Sequence, residues 1–413
     1  MSAIDSNPVL PEELAAIRGS VDAACPRFLA DLERLVNVDC GSYTKAGVDI
    51  VGRWTAERLR TLGFSVAVHD NDQGLGATVI GELHGTDPAG PTLLCLAHLD
   101  TVFDEGTVAE RPYQVQGGIA TGPGVTDMKA GLLAGLYAIA ALRDALGGVP
   151  LARLVFVANP DEEIGSPAST EHIRRLAREA DACLVLECAR ENGDLVSSRK
   201  GSLDLAVAVT GRASHAGIEP ERGRSAILEA ARIVQDLHAL NGRWPGVTVN
   251  VGVIEGGTRP NVVAERCSLE VDIRAVTRDD FAAVEAAVAA ALEPRLVPGV
   301  TVRSEDRGRH LPMEKSARSA RLVGHAVALG AALGFEVRDA ATGGASDANT
   351  TAGMGVPTLD GLGPIGGLDH SPGEYLEVAS IAPRTAMLAA LIAAVGRDPE
   401  VGRWRLARAG AAL

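Results

Sequence analysis

Aromatic side chains are scarce in this 413-residue chain, at 3%. Aliphatic residues must therefore fill its interior, because apolar types still make up 46% of it. With 22% charged residues, that balance excludes disordered, collagenous and coiled-coil classes. Cysteine is sparse and scattered: Cys25, Cys40, Cys95, Cys183, Cys188 and Cys267 include no CxxC pair, and three lie in apolar strand-like runs. A reducing cytoplasm is the expected compartment. Positive charge is in deficit, 39 basic against 53 acidic residues, and a net −14 repels nucleic acid and anionic membrane. The first 13 residues carry no basic segment followed by an apolar one. No run approaches the ~18 uninterrupted apolar residues of a membrane span, so export and insertion are not expected. Also missing is a G-x-S-x-G elbow: Gly223-Arg-Ser225-Ala-Ile227 fails at its last position. No G-x-x-x-x-G-K-[ST] occurs, and Gly74-Leu-Gly76 lacks a third glycine, so a P-loop anchor for nucleotide phosphates is missing.

What is present is alternation. Helical spacing occupies 10–62, and strands are then predicted at 64–69, 78–83, 92–97, 154–158 and 182–186, with helices at 129–146 and 170–179. Such alternation makes an α/β sheet covered by helices. From 203 to 304 the pattern changes to strand 203–210, helix 224–240, strands 247–254 and 264–275, helix 278–292 and strand 300–304. This β-α-β-β-α-β order is ferredoxin-like. Helices at 318–333 and 381–395 and strands at 335–338 and 356–359 then resume the first pattern. Two to three domains fit the length. The expected organisation is one larger domain, 1–198 and 311–413, split by an insertion at 199–310.

Several acids and imidazoles fall just beyond strand ends, where open α/β sheets bind ligands. The strand ending at Ala97 delivers His98-Leu-Asp100, the next delivers Asp161-Glu162-Glu163, and a third delivers Glu187. Asp127 stands where a helix begins, and His370 lies in the turn-rich Leu368-Asp-His370-Ser-Pro372. Taken singly, Asp127 reads as a helix N-cap, Glu162-Glu163 as a solvated loop and His98 as an ordinary hydrogen-bonded histidine. Together, two imidazoles and three carboxylates form a mixed nitrogen and oxygen set suited to a pair of zinc or similar divalent ions. The charges of two Zn²⁺ ions are balanced by Asp127, Glu163 and Glu187 with one bridging hydroxide, and such balance matters because unpaired buried charge is costly. Asp100 is placed to orient His98, and Glu162 is free to carry a proton from a metal-activated water.

With these residues on view, the chain resembles the zinc exopeptidases and deacylases that include carboxypeptidase G, succinyl-diaminopimelate desuccinylase, acetylornithine deacetylase and aminoacylase. The resemblance rests on Leu96-Ala-His98-Leu-Asp100-Thr-Val102, Gly122-Pro-Gly-Val-Thr-Asp127-Met-Lys129-Ala-Gly131, Asp161-Glu-Glu163-Ile-Gly165, Glu187, Gly211-Arg-Ala-Ser-His215-Ala-Gly217, and Gly344-Ala-Ser346-Asp347 with His370. It implies a di-zinc α/β/α catalytic domain with an inserted ferredoxin-like lid and dimerisation domain. Asp127 then bridges two Zn²⁺ ions, for which Co²⁺ or Mn²⁺ can substitute. His98 and Glu187 complete one ion's ligands, Glu163 and His370 the other's, with Glu162 as general base and Asp100 orienting His98. A cis peptide follows the bridging aspartate, and His215, often supplied by the partner subunit of a homodimer, stabilises the oxyanion.

Within that family the glutamate carboxypeptidase branch looks closest, since Glu187 at its ligand position suits this branch and the deacylases better than tripeptidase-like ones. Asn261 and Arg274 resemble lid residues that hold the substrate's terminal carboxylate, with Arg309 and Lys200 as weaker candidates. A strand-end salt bridge is an equal reading of Arg274. Two departures stand out: Pro160, where relatives carry a small polar residue, and Met128, where carboxypeptidase G has a second acid. The expected activity is hydrolysis of the amide to a C-terminal amino acid, glutamate first, in a dipeptide or N-acyl amino acid. An N-acyl-amino-acid deacylase shares the same site.

Overall fold

Ile17, Val21, Phe28, Leu32 and Leu35 recur at helical spacing, and in the computed structural model they form the buried stripe of helix Pro11–Val36. The structure describes residues 8–405, so residues 1–7 and 406–413 of the expected catalytic segments lie outside it. The chain divides into two compact units.

The first unit comprises 1–197, 315–341 and 346–413. Its sheet has the order Ser65–His69, Thr78–His84, Arg153–Asn159, Thr92–His98, Ala182–Val185, Thr358–Leu359. The last four strands are mutually parallel and the first two pair antiparallel. Every residue of Thr92–His98 is buried, which is what a central parallel strand covered on both faces requires. Helices Pro11–Val36, Ala130–Leu146 and Val378–Arg397 pack on one another. The segments Val125–Leu146 and Val378–Arg397 are long and apolar enough to cross a membrane, yet 89% and 78% of their most apolar windows are buried in this core. Two findings differ from the sequence reading. No strand forms at 335–338, where Val337 is buried but the ladder begins later, at Asp339–Thr342 paired with Leu195–Arg199. A small sheet of Gly366–Gly367, Tyr375–Glu377, Ile119–Thr121 and Gln114–Gln116 was not anticipated, its strands being too short to alternate.

The second unit comprises 198–314 and 342–345. It follows the β-α-β-β-α-β order, with helices Ala226–His238 and Arg278–Leu292 and an antiparallel sheet ordered Thr248–Gly256, Arg266–Ala275, Gly201–Thr210, Thr301–His310. Ser225 and Thr277 cap the two helices through their hydroxyls. The sheet and helices enclose a separate apolar core around Val207, Leu269, Ile233 and Phe281. The last strand runs six residues beyond the expected 304. Its charged sequence, Glu305-Asp-Arg-Gly-Arg309, suits an edge strand and hides the period that would reveal it.

Candidate metal centre

Strand Thr92–His98 ends at His98, whose ring is buried. His98 Nδ1 lies 3.0 Å from the Asp100 carbonyl oxygen and 3.4 Å from Asp100 Oδ1, so the Asp100 segment fixes the ring. The Asp100 carboxylate also accepts from the Ser42 hydroxyl at 2.6 Å and from the backbone N–H groups of Glu162 and Glu163, each at 3.2 Å. One buried acid thus positions both the imidazole and the turn that carries the two glutamates.

Asp127 sits in the loop between Gly122 and the helix Ala130–Leu146. Its backbone is not helical, its peptide to Met128 is cis, and no side-chain cap is made at the helix start, so the N-cap reading does not hold. Gly124 takes φ +72° there, a conformation open to glycine. At Gly131 a Cβ would meet the Leu186 carbonyl oxygen at 1.8 Å, so only glycine lets this helix close on the segment leading to Glu187. Met128 is buried, and its sulfur accepts the His98 N–H at 3.2 Å.

The two oxygens of Asp127 face different histidines. Oδ1 is 3.1 Å from His98 Nε2, and Oδ2 is 3.1 Å from His370 Nε2. Glu187 approaches His98 Nε2 at 3.7 Å, and Glu163 approaches His370 Nε2 at 3.1 Å. Donor atoms of His98, Asp127 and Glu163 all lie within 4.8 Å of one another, as do those of His98, Glu162 and Glu187. The five expected ligands and Glu162 therefore converge, all within the first unit.

This crowding shifts the titrations. Burial, with Glu187 and Asp127 respectively adding like charge, pushes Glu162 and Glu163 above the usual carboxylate range. Burial raises Glu187 to about 7. Burial would raise Asp127 too, but hydrogen bonds from His370 and His98 hold it low. Burial would lower His98, yet Glu187, Asp100 and Asp127 hold it well above the ordinary value, and Asp127 and Glu163 raise His370 to about 11. Glu163 Oε1 is buried with no hydrogen-bond partner. An unfilled carboxylate oxygen beside convergent imidazoles and acids is a donor set that fits divalent cations, which would be held by His98, Asp127, Glu163, Glu187 and His370.

A residue that sequence reasoning missed completes the site. Glu374, 1% exposed, accepts the backbone N–H groups of Gly124 at 2.8 Å, Thr126 at 2.8 Å and Asp127 at 3.0 Å. Its partners are backbone groups 247 to 250 residues away, so no side-chain spacing signals it. Lys129, equally buried, donates to the Pro123 and Val38 carbonyl oxygens at 3.0 and 3.3 Å and pins the same loop from its acceptor side.

The remaining candidates belong to the second unit. His215 is exposed and accepts the Gly217 N–H on Nδ1 at 3.1 Å, which leaves Nε2 as its donor. Asn261 is its neighbour, accepting the Ala216 N–H at its carbonyl oxygen. Arg274 pairs with Asp272 at 2.8 Å, the strand-end salt bridge. Arg309 is engaged by Glu285 and Asp306 at 2.7 and 2.8 Å. The register sets Arg274 opposite Ser202 and Arg309 opposite Leu203, with Lys200 just before that strand. These three share one end of the sheet, and His215 follows the other end of the same strand.

Over residues 94–394 the chain matches the family described as peptidase family M20/M25/M40. It is 30% identical over 380 residues to carboxypeptidase G2 of Pseudomonas sp. (strain RS-16), covering 90% of both chains. It is 28% identical over 271 residues to acetylornithine deacetylase of Proteus mirabilis (strain HI4320), covering 60% of this chain and 67% of that one. Its fold is similar to that of the aminopeptidase PepT of Bacillus cereus ATCC 10987, with a TM-score of 0.73 at 23% identity, covering 90% and 98% of the two chains.

Proposed function

The chain belongs to peptidase family M20/M25/M40, whose members are metal-dependent hydrolases, and from that premise we propose that it is a dinuclear zinc carboxypeptidase. Its substrates are dipeptides or N-acyl amino acids, from which it releases the C-terminal residue, glutamate being the leading choice. The observation that carries this reading is Asp127, whose two oxygens each face a different histidine, each histidine being approached in turn by its own glutamate, an arrangement that suits a carboxylate shared by two ions. The similarity to carboxypeptidase G2 along 90% of both chains supports a carboxypeptidase, and the glutamate preference follows from the resemblance to the glutamate carboxypeptidase branch.

When bound, divalent ions here polarise the scissile carbonyl and acidify a water molecule. Glu162, held through its backbone N–H by Asp100 and raised in pKa by burial, takes the water's proton on its carboxylate and delivers it to the leaving nitrogen. Asp100 keeps His98 in one orientation throughout. His215, with Nε2 as donor, hydrogen-bonds the oxygen that gains negative charge, and Asn261 beside it and Arg274 bind the substrate carboxylate. The separation of His215 and Asn261 from Arg274 along one strand supports His215 acting from a partner subunit. A homodimer through the second unit is supported by its edge strand, where Val253 and Ile254 are 46% and 52% exposed, and by Ile227 and Leu228 on the adjoining helix. The proposed compartment is the cytoplasm, where scattered thiols stay reduced.

Glu162→Gln tests the mechanism. Metal content should match wild type while kcat falls by about 10²- to 10⁴-fold, the usual worth of a general base. Wild-type turnover by a metal-replete variant would overturn it. The second reading, an N-acyl-amino-acid deacylase, is favoured by the similarity to acetylornithine deacetylase. A substrate panel separates the two: a carboxypeptidase ranks substrates by the C-terminal residue, a deacylase by the acyl group.

A further inference from the structure

The two histidines at the centre are anchored differently. His98 ends a central strand, and its Nδ1 is fixed by Asp100. His370 sits in a loop at φ +61° with its side chain 56% exposed. Its Nε2 faces Asp127 and Glu163, and no hydrogen bond from its Nδ1 is found among the described residues. Apart from what its Nε2 meets at the centre itself, the imidazole is thus placed by its backbone. That backbone reaches the Asp127 loop through Glu374, four residues on, whose carboxylate gathers the three N–H groups of Gly124, Thr126 and Asp127. Glu374 is buried and has no ion-pair partner among the described residues, so its charge is met by backbone donors. An ionised acid is costly to bury, and here three backbone donors offset that cost. Such an acid in such a place points to a task beyond packing.

We propose that Glu374 is a positioning residue that locks the His370 loop to the Asp127 loop. It thereby makes the cation site of Asp127, Glu163 and His370 depend on it more than the site of Asp127, His98 and Glu187. The proposal rests on the dinuclear reading above. The geometry defines the weak substitution: in Glu374→Gln one oxygen can still serve two N–H groups, but the amide NH₂ then meets the third, donor against donor. In Glu374→Asp the charge stays and the reach shortens by one methylene, so the three bonds are not all made.

The test is titration of metal-free full-length protein with Co²⁺, followed by its visible absorption, and with Zn²⁺ against a chromogenic chelator. His98→Ala and His370→Ala serve as references that identify the two uptake steps. Glu374→Gln and Glu374→Asp should weaken the step that His370→Ala abolishes by about 10- to 100-fold, and change its Co²⁺ spectrum. The step that His98→Ala abolishes should keep the larger part of its affinity. Uptake like wild type in both variants overturns the proposal, and so does equal weakening of both steps with a lower melting temperature of the metal-free protein. A wild-type chain that takes up no Co²⁺ or Zn²⁺ overturns the dinuclear reading and this proposal with it, whereas normal wild-type uptake with unaffected variants overturns this proposal alone.

Discussion

Asp100→Asn is the sharpest single perturbation of the centre, because its cost can be counted from partners. Oδ2 receives the Ser42 hydroxyl and the Glu163 N–H, while Oδ1 receives the Glu162 N–H and lies near His98 Nδ1. If the amide NH₂ replaces Oδ1, it opposes two donors, Glu162 N–H and the His98 ring. If it replaces Oδ2, it opposes only Glu163 N–H, since the Ser42 hydroxyl can rotate to accept. The second orientation should win, leaving one unsatisfied N–H at a cost of about 1–3 kcal/mol in folding stability. The ring of His98 keeps its acceptor but loses a charged one, so metal affinity should fall by about 10- to 100-fold. Urea unfolding of metal-free protein reads the first effect and chelator competition the second. Asp100→Asn that binds Zn²⁺ like wild type and unfolds at the same urea concentration would refute the count.

Arg384, 1% exposed, donates to the carbonyl oxygens of Gly193, Gly361 and Gly363 at 2.9, 2.6 and 3.1 Å, and burial lowers its pKa to about 10. Arg384→Met should strand those three acceptors and cost about 3–5 kcal/mol, and a change under 1 kcal/mol in urea unfolding would contradict it. Chelation should abolish turnover, with Zn²⁺ or Co²⁺ restoring it. Each ion at 1,000 times its Kd should stabilise the fold by about 4 kcal/mol, so equal melting of apo and reloaded protein would tell against tight binding. Arg397 binds Glu13 through both its NH groups, at 2.6 and 2.8 Å, and this hydrogen bonding holds the Glu13 carboxyl below its usual 4.5. Because the folded state binds the proton less readily than the unfolded one, this stabilisation is whole above pH 4.5 and fades as pH falls through the lower folded value. The urea midpoints of wild type and Arg397→Gln should therefore converge on acidification below pH 4.5, and a gap constant from pH 7 to pH 3 would refute the assignment.

Residues that sequence makes legible are those whose role is fixed by the end of their own strand. His98 follows a run of six apolar or β-favouring residues, and Glu187 follows another, so their convergence at one edge is a property of parallel strands. Glu374 fails that test: it serves backbone N–H groups from a distant loop, and any residue types there would present the same groups. The same physics governs the elements. Buried strands such as Thr92–His98 declare themselves by composition, whereas the two- and three-residue strands around Tyr375–Glu377 have no period to show. At 335–338 the alternation of Phe335 and Val337 reports burial, and burial alone does not supply a ladder partner. Arg274 and Arg309 show the limit for substrate contacts, since their sequence settings suit carboxylate binding and each guanidinium is already paired within its own unit.

The strand Gly201–Thr210 also separates the second unit's candidate residues into two groups. Its ten residues at ~3.3 Å each span about 30 Å, with Lys200, Arg274 and Arg309 near its start and His215 and Asn261 beyond its end. A dipeptide or N-acyl amino acid is far shorter than that, so one copy of the second unit does not offer both groups to one substrate. If both act, they come from different subunits. Subunit complementation tests this: Glu162→Gln and His215→Ala proteins, each inactive alone, are mixed under conditions that exchange protomers. A hybrid dimer then contains one centre with both an intact Glu162 and an intact partner His215, and one centre with neither. Random exchange makes half the dimers hybrid, so activity should return to about a quarter of wild type. Exchange demonstrated by mass with no recovered turnover would show that His215 serves its own subunit. The strand-end separation would then describe a surface and not a shared site.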